Sequence, residues 1–251
     1  MEDRPMRNIC FVAGLTSLWL SGATTFTAAQ PNQESQLLSI LELSVKPGMI
    51  DEYEAGRKRV IERWAENDFS FPAQISVDDS GVYRQVSFRG GWADFERYDQ
   101  ENQALPGDFP AATAAVDHVR QSILRTRPDL SYVPANPRFP NSEAAFIRYV
   151  FIHLQPGQQA AAAETMRQIS ALRRRHDIQD GIIVTSSVVG HDSPMLLLRF
   201  HARDVEDYYA QRREIQERLG DEFTTLVRRM GQLARRIETS NNVWRRDLSY
   251  Q

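Results

Sequence analysis

Cysteine is all but missing from this chain: Cys10 is the only one among 251 residues. One thiol cannot close an internal disulfide. Because Cys10 falls in an N-terminal segment expected to be removed, the rest of the chain has no thiolate nucleophile and no cysteine-based metal site. Lysine is nearly as scarce, with only Lys46 and Lys58. Arginine supplies the remaining basic charge and cannot act as a neutral amine, so Schiff-base chemistry has two candidates, beside the first Pro-Gly turn or on the helix after it. There is no excess of positive charge either. The net charge is −3, so no global field attracts nucleic acid. Gly-x-Ser-x-Gly, the P-loop and Gly-x-Gly-x-x-Gly are all absent. The five histidines include no i,i+4 pair and no His-Glu-x-x-His, so no metal site is expected and no cofactor is called for.

The N-terminus has the order of an export signal. Arg4 and Arg7 precede an apolar stretch from Ile9 to Leu20, and small and polar residues lead to Thr27, Ala28 and Ala29 before Gln30. Glu2 and Asp3 dilute the basic start. The apolar stretch is shorter than the ~18–20 residues of a membrane span. Residues 1–29 are therefore expected to be a signal peptide, leaving a periplasmic or secreted protein with no membrane attachment; an uncleaved anchor is the alternative. Ile9 stands where a lipoprotein signal carries a small residue, so lipidation of Cys10 is not expected.

What the chain does have is a repeat. The run from Ser39 to Met49 is apolar, stops at Pro47 and Gly48, and is followed by a helical pattern. The run from Arg148 to Gln158 does the same around Pro156 and Gly157, 109 residues later. Asp94-Phe-Glu-Arg-Tyr98 matches Asp204-Val-Glu-Asp-Tyr208 at an offset of 110, and Arg127-Pro-Asp-Leu-Ser-Tyr132 matches Arg245-Arg-Asp-Leu-Ser-Tyr250 at 118. The offset jumps inside the second helix, near Leu105–Pro110. Three anchors in one order mark an internal repeat.

Each copy reads as β-α-β-β-α-β, the ferredoxin-like order. Strands are expected over 38–45, 74–79, 81–88 and 129–133, with helices over 49–66, 94–103 and 111–124. The second copy places strands over 145–154, 181–189, 195–201 and 242–250, and helices over 158–175 and 204–238. The repeats span 38–133 and 144–251, joined by a linker over 134–143 with Pro134, Pro137 and Pro140 at every third position. Such a unit packs both helices on one sheet face and leaves the other bare. Two bare faces can cover each other. The first strand is apolar on both sides, as a doubly covered sheet requires: Leu41, Leu43 and Val45 on one, Leu38, Ile40, Glu42 and Ser44 on the other. In the second copy the latter face carries Ile147, Tyr149, Phe151 and His153. The fold class is thus α+β, two tandem ferredoxin-like repeats packed sheet to sheet as a pseudo-dimer within one chain.

A strand ending in Pro-Gly, a long helix, a hairpin and a second helix opening on Asp-x-x-x-Tyr resembles the dimeric α+β-barrel superfamily, which includes NIPSNAP-type and antibiotic-biosynthesis-monooxygenase-like proteins. The similarity covers nearly all of 38–250. It implies a pocket between sheet and helices. It implies no single reaction, because the superfamily includes cofactor-independent monooxygenases, isomerases and haem-degrading enzymes.

His153 shares a covered face with Tyr149 and Phe151, and its counterpart in the first copy is Ser44. It can be a general base or ligand anchor, or a strand-end residue bonded to backbone. His153 and Tyr149 are the candidate catalytic residues. Phe151, Trp244, Glu42 and Arg199 are the candidate substrate-binding residues. Glu42, if buried, needs a partner; Arg199 and its sequence match Arg89 can pair with acids or hold an anion. His201 should lie far from His153, since antiparallel neighbours run in opposite directions. His118 reads as a helical residue, His176 as a helix-end cation and His191 as a turn residue. Three functions are compatible with these residues: an exported enzyme, monooxygenase-like or isomerase-like, acting on a small hydrophobic molecule; a non-catalytic binding protein of the same fold; and a haem protein, with His118 or His176 as axial ligand.

Overall fold

The computed structural model describes residues 35–105, 113–190 and 192–251. The expected signal peptide, Cys10, most of the Leu105–Pro110 interruption and His191 lie outside the described residues. The first repeat comprises β1 (Leu37–Val45), α1 (Ile50–Glu66), β2 (Ala73–Asp78), β3 (Val82–Arg89), α2 (Ala93–Ala104) and β4 (Val116–Thr126). The second comprises β5 (Phe146–Leu154), α3 (Gln159–Arg175), β6 (Ile183–Val189), β7 (Met195–Ala202), α4 (Val205–Leu233) and β8 (Ala234–Trp244). No described helix is long and apolar enough to cross a membrane.

The Pro-Gly pairs do the same work twice. Gly48 and Gly157 take φ of +79° and +84°, a conformation that turns the chain from strand to helix and suits glycine alone. Asp51 and Glu52 occupy the first turn of α1, where the helix dipole favours them. Asp204 caps α4 by accepting the Asp207 N–H at 2.8 Å.

The eight strands close into one antiparallel barrel in the order β1-β3-β2-β8-β5-β7-β6-β4. Each repeat supplies four strands, and the edges join at two seams. β2 meets β8 from Ser76↔Trp244 to Asp78↔Asn242, and β4 meets β6 from Ile123↔Val189 to Thr126↔Thr185. The alternation assigned from sequence holds. Leu38, Ile40, Ile147, Tyr149 and Phe151 pack inside the barrel with Leu124, Leu197 and Trp244. Ile152 and Leu154 face α3 and α4 with Met166, Leu172 and Leu219, and Leu43 and Val45 face outward in the first repeat. Closure removes the exposed sheet edges, and the helices cover the outside.

The last strand of each repeat differs from expectation. Residues 116–124, expected as helix, belong to β4 (Val116–Thr126); α4 stops at Leu233, and the stretch expected to extend it begins β8. Both strands are rich in polar residues (Asp, His, Arg and Gln in β4; Arg, Glu and Asn in β8) and largely exposed over their first halves, so the apolar alternation that marks a strand is missing. Pairing on both sides decides their conformation: β1 and β6 for β4, β5 and β2 for β8.

The matched segments expected as final strands are instead two copies of one clasp. Arg127 donates from Nε to Asp129 at 2.8 Å, and the Ser131 hydroxyl donates to Arg127 O at 2.8 Å. Ser131 Oγ then accepts the Val184 N–H of β6 at 2.9 Å. In the second copy Arg245 donates to Asp247 at 2.9 Å, Ser249 to Arg245 O at 2.7 Å, and Ser249 Oγ accepts the Ile75 N–H of β2 at 2.9 Å. Tyr132 and Tyr250 add single bridges to Ile182 and Ala73. Each repeat thus closes on the sheet of the other. The linker is tied down as well: Arg138 bonds Asp180 and Asp207, and Phe139 packs against the barrel cluster.

Candidate functional site

All six candidates project from the inner face of the barrel, but the structure sorts them into three environments. Glu42 is in a closed polar network. It accepts from Arg84 Nε at 3.0 Å and from Arg120 Nε at 2.6 Å. Arg84 also reaches Asp78 at 2.7 Å, Asn242 at 2.8 Å and Ser240 at 3.0 Å. Glu42, Arg84 and Asp78 are all but buried, so the network neutralises its own charges and welds β1, β3 and β2 to β8.

His153 lies at the barrel end near the β6–β7 turn. Its side chain is buried. Nδ1 lies 3.4 Å from Asp192 O, and Nε2 lies 3.4 Å from Arg236 and 3.6 Å from Glu238. Both ring nitrogens are therefore engaged. His201 pairs opposite Ile147 while His153 pairs opposite Met195, which separates the two histidines along the strands as the antiparallel register requires.

Arg199, Trp244 and Tyr149 form the third group. Tyr149 stands directly across from Arg199, is fully buried and lies ring to ring with Phe151 at 6.2 Å. Its hydroxyl is 3.5 Å from Ser76 Oγ. Arg199 is 6% exposed, yet its Nε and Nη1 have no hydrogen-bond partner among the described residues. The same holds for Trp244 Nε1, His201 Nε2 and Thr185 Oγ1. His201 and Trp244 are 6.1 Å apart ring to ring. Part of His201 reaches the surface, but Nε2 is buried. Burial of the ring, with Arg199 and Arg246 nearby, holds its pKa down to about 3, so the imidazole is neutral at working pH. Unpaired buried donors and acceptors are costly and rare, and several on one wall mark a place able to take a polar group. Phe88, Leu38, Ile147 and Leu197 make the surroundings apolar.

Sequence reasoning named Arg199 and Trp244 but not His201, Thr185 or Arg84 as parts of this interior. Alternation along β7 contained the signal for His201, two positions from Arg199. The match of Arg199 to Arg89 fails in space. Arg89 pairs opposite Leu37 and stacks over Tyr98 at 4.1 Å on the helix side, whereas Arg199 faces inward. His118 is on β4, exposed, rather than on a helix. His176 caps the C-terminus of α3, its N–H donating to Leu172 O. Among the described residues no cluster of three His, Cys, Asp or Glu could hold a metal ion.

A second feature lies outside the barrel, between the α3–β6 loop, the end of β7 and α4. Two adjoining hollows, of about 180 and 20 Å³, share Arg138, Asp180, Gln211 and Ile215. Arg173, Tyr208 and Arg212 line the smaller one.

No protein-family model matches the chain, and no curated protein sequence matches it. Solved structures do. A candidate monooxygenase from Lactobacillus acidophilus NCFM shares 7% identity over 87% of this chain and 97% of its own, with a TM-score of 0.58. An anthrone oxidase-like protein shares 9% over 86% and 93%, with a TM-score of 0.60. Chlorite dismutase from Candidatus Nitrospira defluvii shares 12% over 86% and 94%, with a TM-score of 0.50. The likeness is one of fold, the ferredoxin-like α+β barrel of monooxygenase-like and chlorite dismutase-like proteins. These neighbours lend no support to the NIPSNAP side of the resemblance.

Proposed function

We propose that the chain binds a small hydrophobic, aromatic molecule inside the second half of its barrel and acts on it as a cofactor-independent monooxygenase-like or isomerase-like enzyme. One observation carries this: the unpartnered Nε and Nη1 of Arg199, beside His201 Nε2 and Trp244 Nε1, on an otherwise apolar wall. A guanidinium in so dry a place stabilises an oxygen that gains negative charge, such as the enolate or phenolate formed when an aromatic ketone loses a proton. Both reactions pass through that anion, with the proton released to solvent; in the oxygenation the carbanion then reduces O₂, one oxygen atom entering the product and the other leaving as water. Tyr149, across from Arg199 and with its hydroxyl 3.5 Å from Ser76 Oγ, would be the donor to the oxygen. Trp244 and Phe151 would form the aromatic wall. Glu42 holds the barrel through Arg84, and His153 lies at the other end, with both nitrogens engaged. The monooxygenase-like neighbours and the anthrone oxidase-like protein favour oxygenation as the reaction.

The test is oxygen uptake with anthrone by the purified protein. The expected result is saturable uptake above the spontaneous rate, reduced at least tenfold in Arg199→Leu. Binding without uptake would leave the non-catalytic reading of the same barrel, and neither binding nor uptake would refute both. The same proposal includes export. Mass spectrometry of protein recovered from the periplasm or medium should show a chain beginning at Gln30.

A further inference from the structure

The two repeats place equivalent residues at equivalent points of their helices, and where one carries a buried tryptophan the other carries a buried arginine. By the 109- and 110-residue offsets, Trp64 on α1 corresponds to Arg173 on α3, and Asn102 on α2 to Arg212 on α4. In the first repeat the pair is satisfied: Trp64 Nε1 donates to Asn102 Oδ1 at 3.3 Å. Trp64 is 1% exposed, stacks on Phe69 at 4.6 Å and shares a cluster with Phe71, Tyr98 and Tyr250. The space is filled with rings, and the buried guanidinium groups of Arg57 and Arg89 lie over Trp64 at 4.5 Å and over Tyr98 at 4.1 Å.

In the second repeat the same place holds two guanidinium groups. Arg173 is 0% exposed. Its Nη2 donates to Asp180 O at 2.6 Å, but Nε and Nη1 have no partner among the described residues. Arg212 has no carboxylate partner among them either, and its guanidinium lies over the Phe223 ring at 5.2 Å. Both arginines line the inner hollow of the cleft, together with Tyr208, the counterpart of Tyr98. Burial, opposed in part by Asp180 and reinforced by the charge of Arg212, brings the Arg173 pKa down to about 10, so it keeps its proton at neutral pH. The cleft's acids do not cancel these charges. Asp180 is taken by Arg138, and Glu214 lies in the outer hollow, where Arg218 also lines the wall. A buried guanidinium beside a half-buried one, with no carboxylate held between them, is unfavourable unless something anionic joins them.

We propose that the cleft between the α3–β6 loop and α4 is a binding site for a small oxyanion, a carboxylate or a phosphate, held between Arg173 and Arg212. The outer hollow, about 180 Å³, gives room for a short polar tail beside Arg138 and Arg218. The site lies on the helix side of the end of β7, where Phe200, His201 and Ala202 line it, and in the first repeat the Trp64–Asn102 pair takes the corresponding place.

The test is titration calorimetry of the whole protein with inorganic phosphate and, separately, with acetate, at constant ionic strength set by chloride. The expected result is saturable binding of at least one anion, weakened at least tenfold in Arg212→Gln and abolished in Arg173→Met. Phosphate alone binding assigns the site to phosphorylated molecules; acetate alone assigns it to carboxylates. Should Arg173→Met fail to fold, Arg212→Gln decides, because its side chain is only partly buried. Absence of binding by either anion in the wild type overturns the proposal, and so does wild-type affinity in Arg212→Gln.

Discussion

A histidine kept neutral by burial leaves a mark on the pH dependence of stability. The folded pKa of His201 is about 3, against about 6.5 when unfolded. Between these values the unfolded chain binds a proton that the folded chain refuses. The contribution is therefore fully present above pH 6.5 and is lost as pH falls toward 3, at a limiting slope of about 1.4 kcal/mol per pH unit. Urea denaturation from pH 6.5 to 5, above the range in which carboxylates titrate, should show this decline, and His201→Gln should flatten it. Glu42 tests the polar network. Glu42→Gln removes the charge facing Arg84 and Arg120, but Arg84 keeps Asp78 and Asn242. The expected cost is about 1–3 kcal/mol in a urea melt, less than for a buried cation left alone. The faces of Glu42, Tyr149, Phe151 and His153 were legible in period-2 alternation. Their partners were not, because Arg84, Asp192 and Arg236 reach them through cross-strand register and turn geometry, which alternation does not encode.

At the scale of elements, the helices and hairpins were legible because their signals are local: Pro-Gly turns, acidic first turns, apolar faces at helical spacing. β4 and β8 were not, since their polar sequences become strands only by pairing on both sides. The repeated Arg-x-Asp-Leu-Ser-Tyr segments were found, yet their role was hidden, because the acceptor they supply meets an N–H in the other repeat. Ser131→Ala would leave the buried Val184 N–H without its acceptor, at a cost of about 1–2 kcal/mol. Ser249→Ala should cost less, its site being half-buried. Because the two clasps lie in different seams, the double variant should show the sum within about 0.5 kcal/mol, measured by chemical denaturation.

The whole molecule is a dimer folded into one chain, and its closure makes the halves interdependent. Neither sheet can cover its inner face alone, and both seams carry ladder hydrogen bonds and a clasp. Calorimetry should therefore show one unfolding transition for both repeats; two resolved transitions would mean that the repeats are independent domains. Within this symmetric frame the second half has diverged, with Arg199 and His201 where the first half has Val86 and Phe88 across from Ile40 and Leu38. The proposed function puts the substrate oxygen at Arg199, and one binding measurement tests it. The dissociation constant for 2-naphthol, followed by intrinsic fluorescence, should rise at least tenfold in Arg199→Gln and change less than twofold in His153→Ala. Wild-type affinity in Arg199→Gln, with affinity lost in His153→Ala, would contradict the account and move the site to the other end of the barrel.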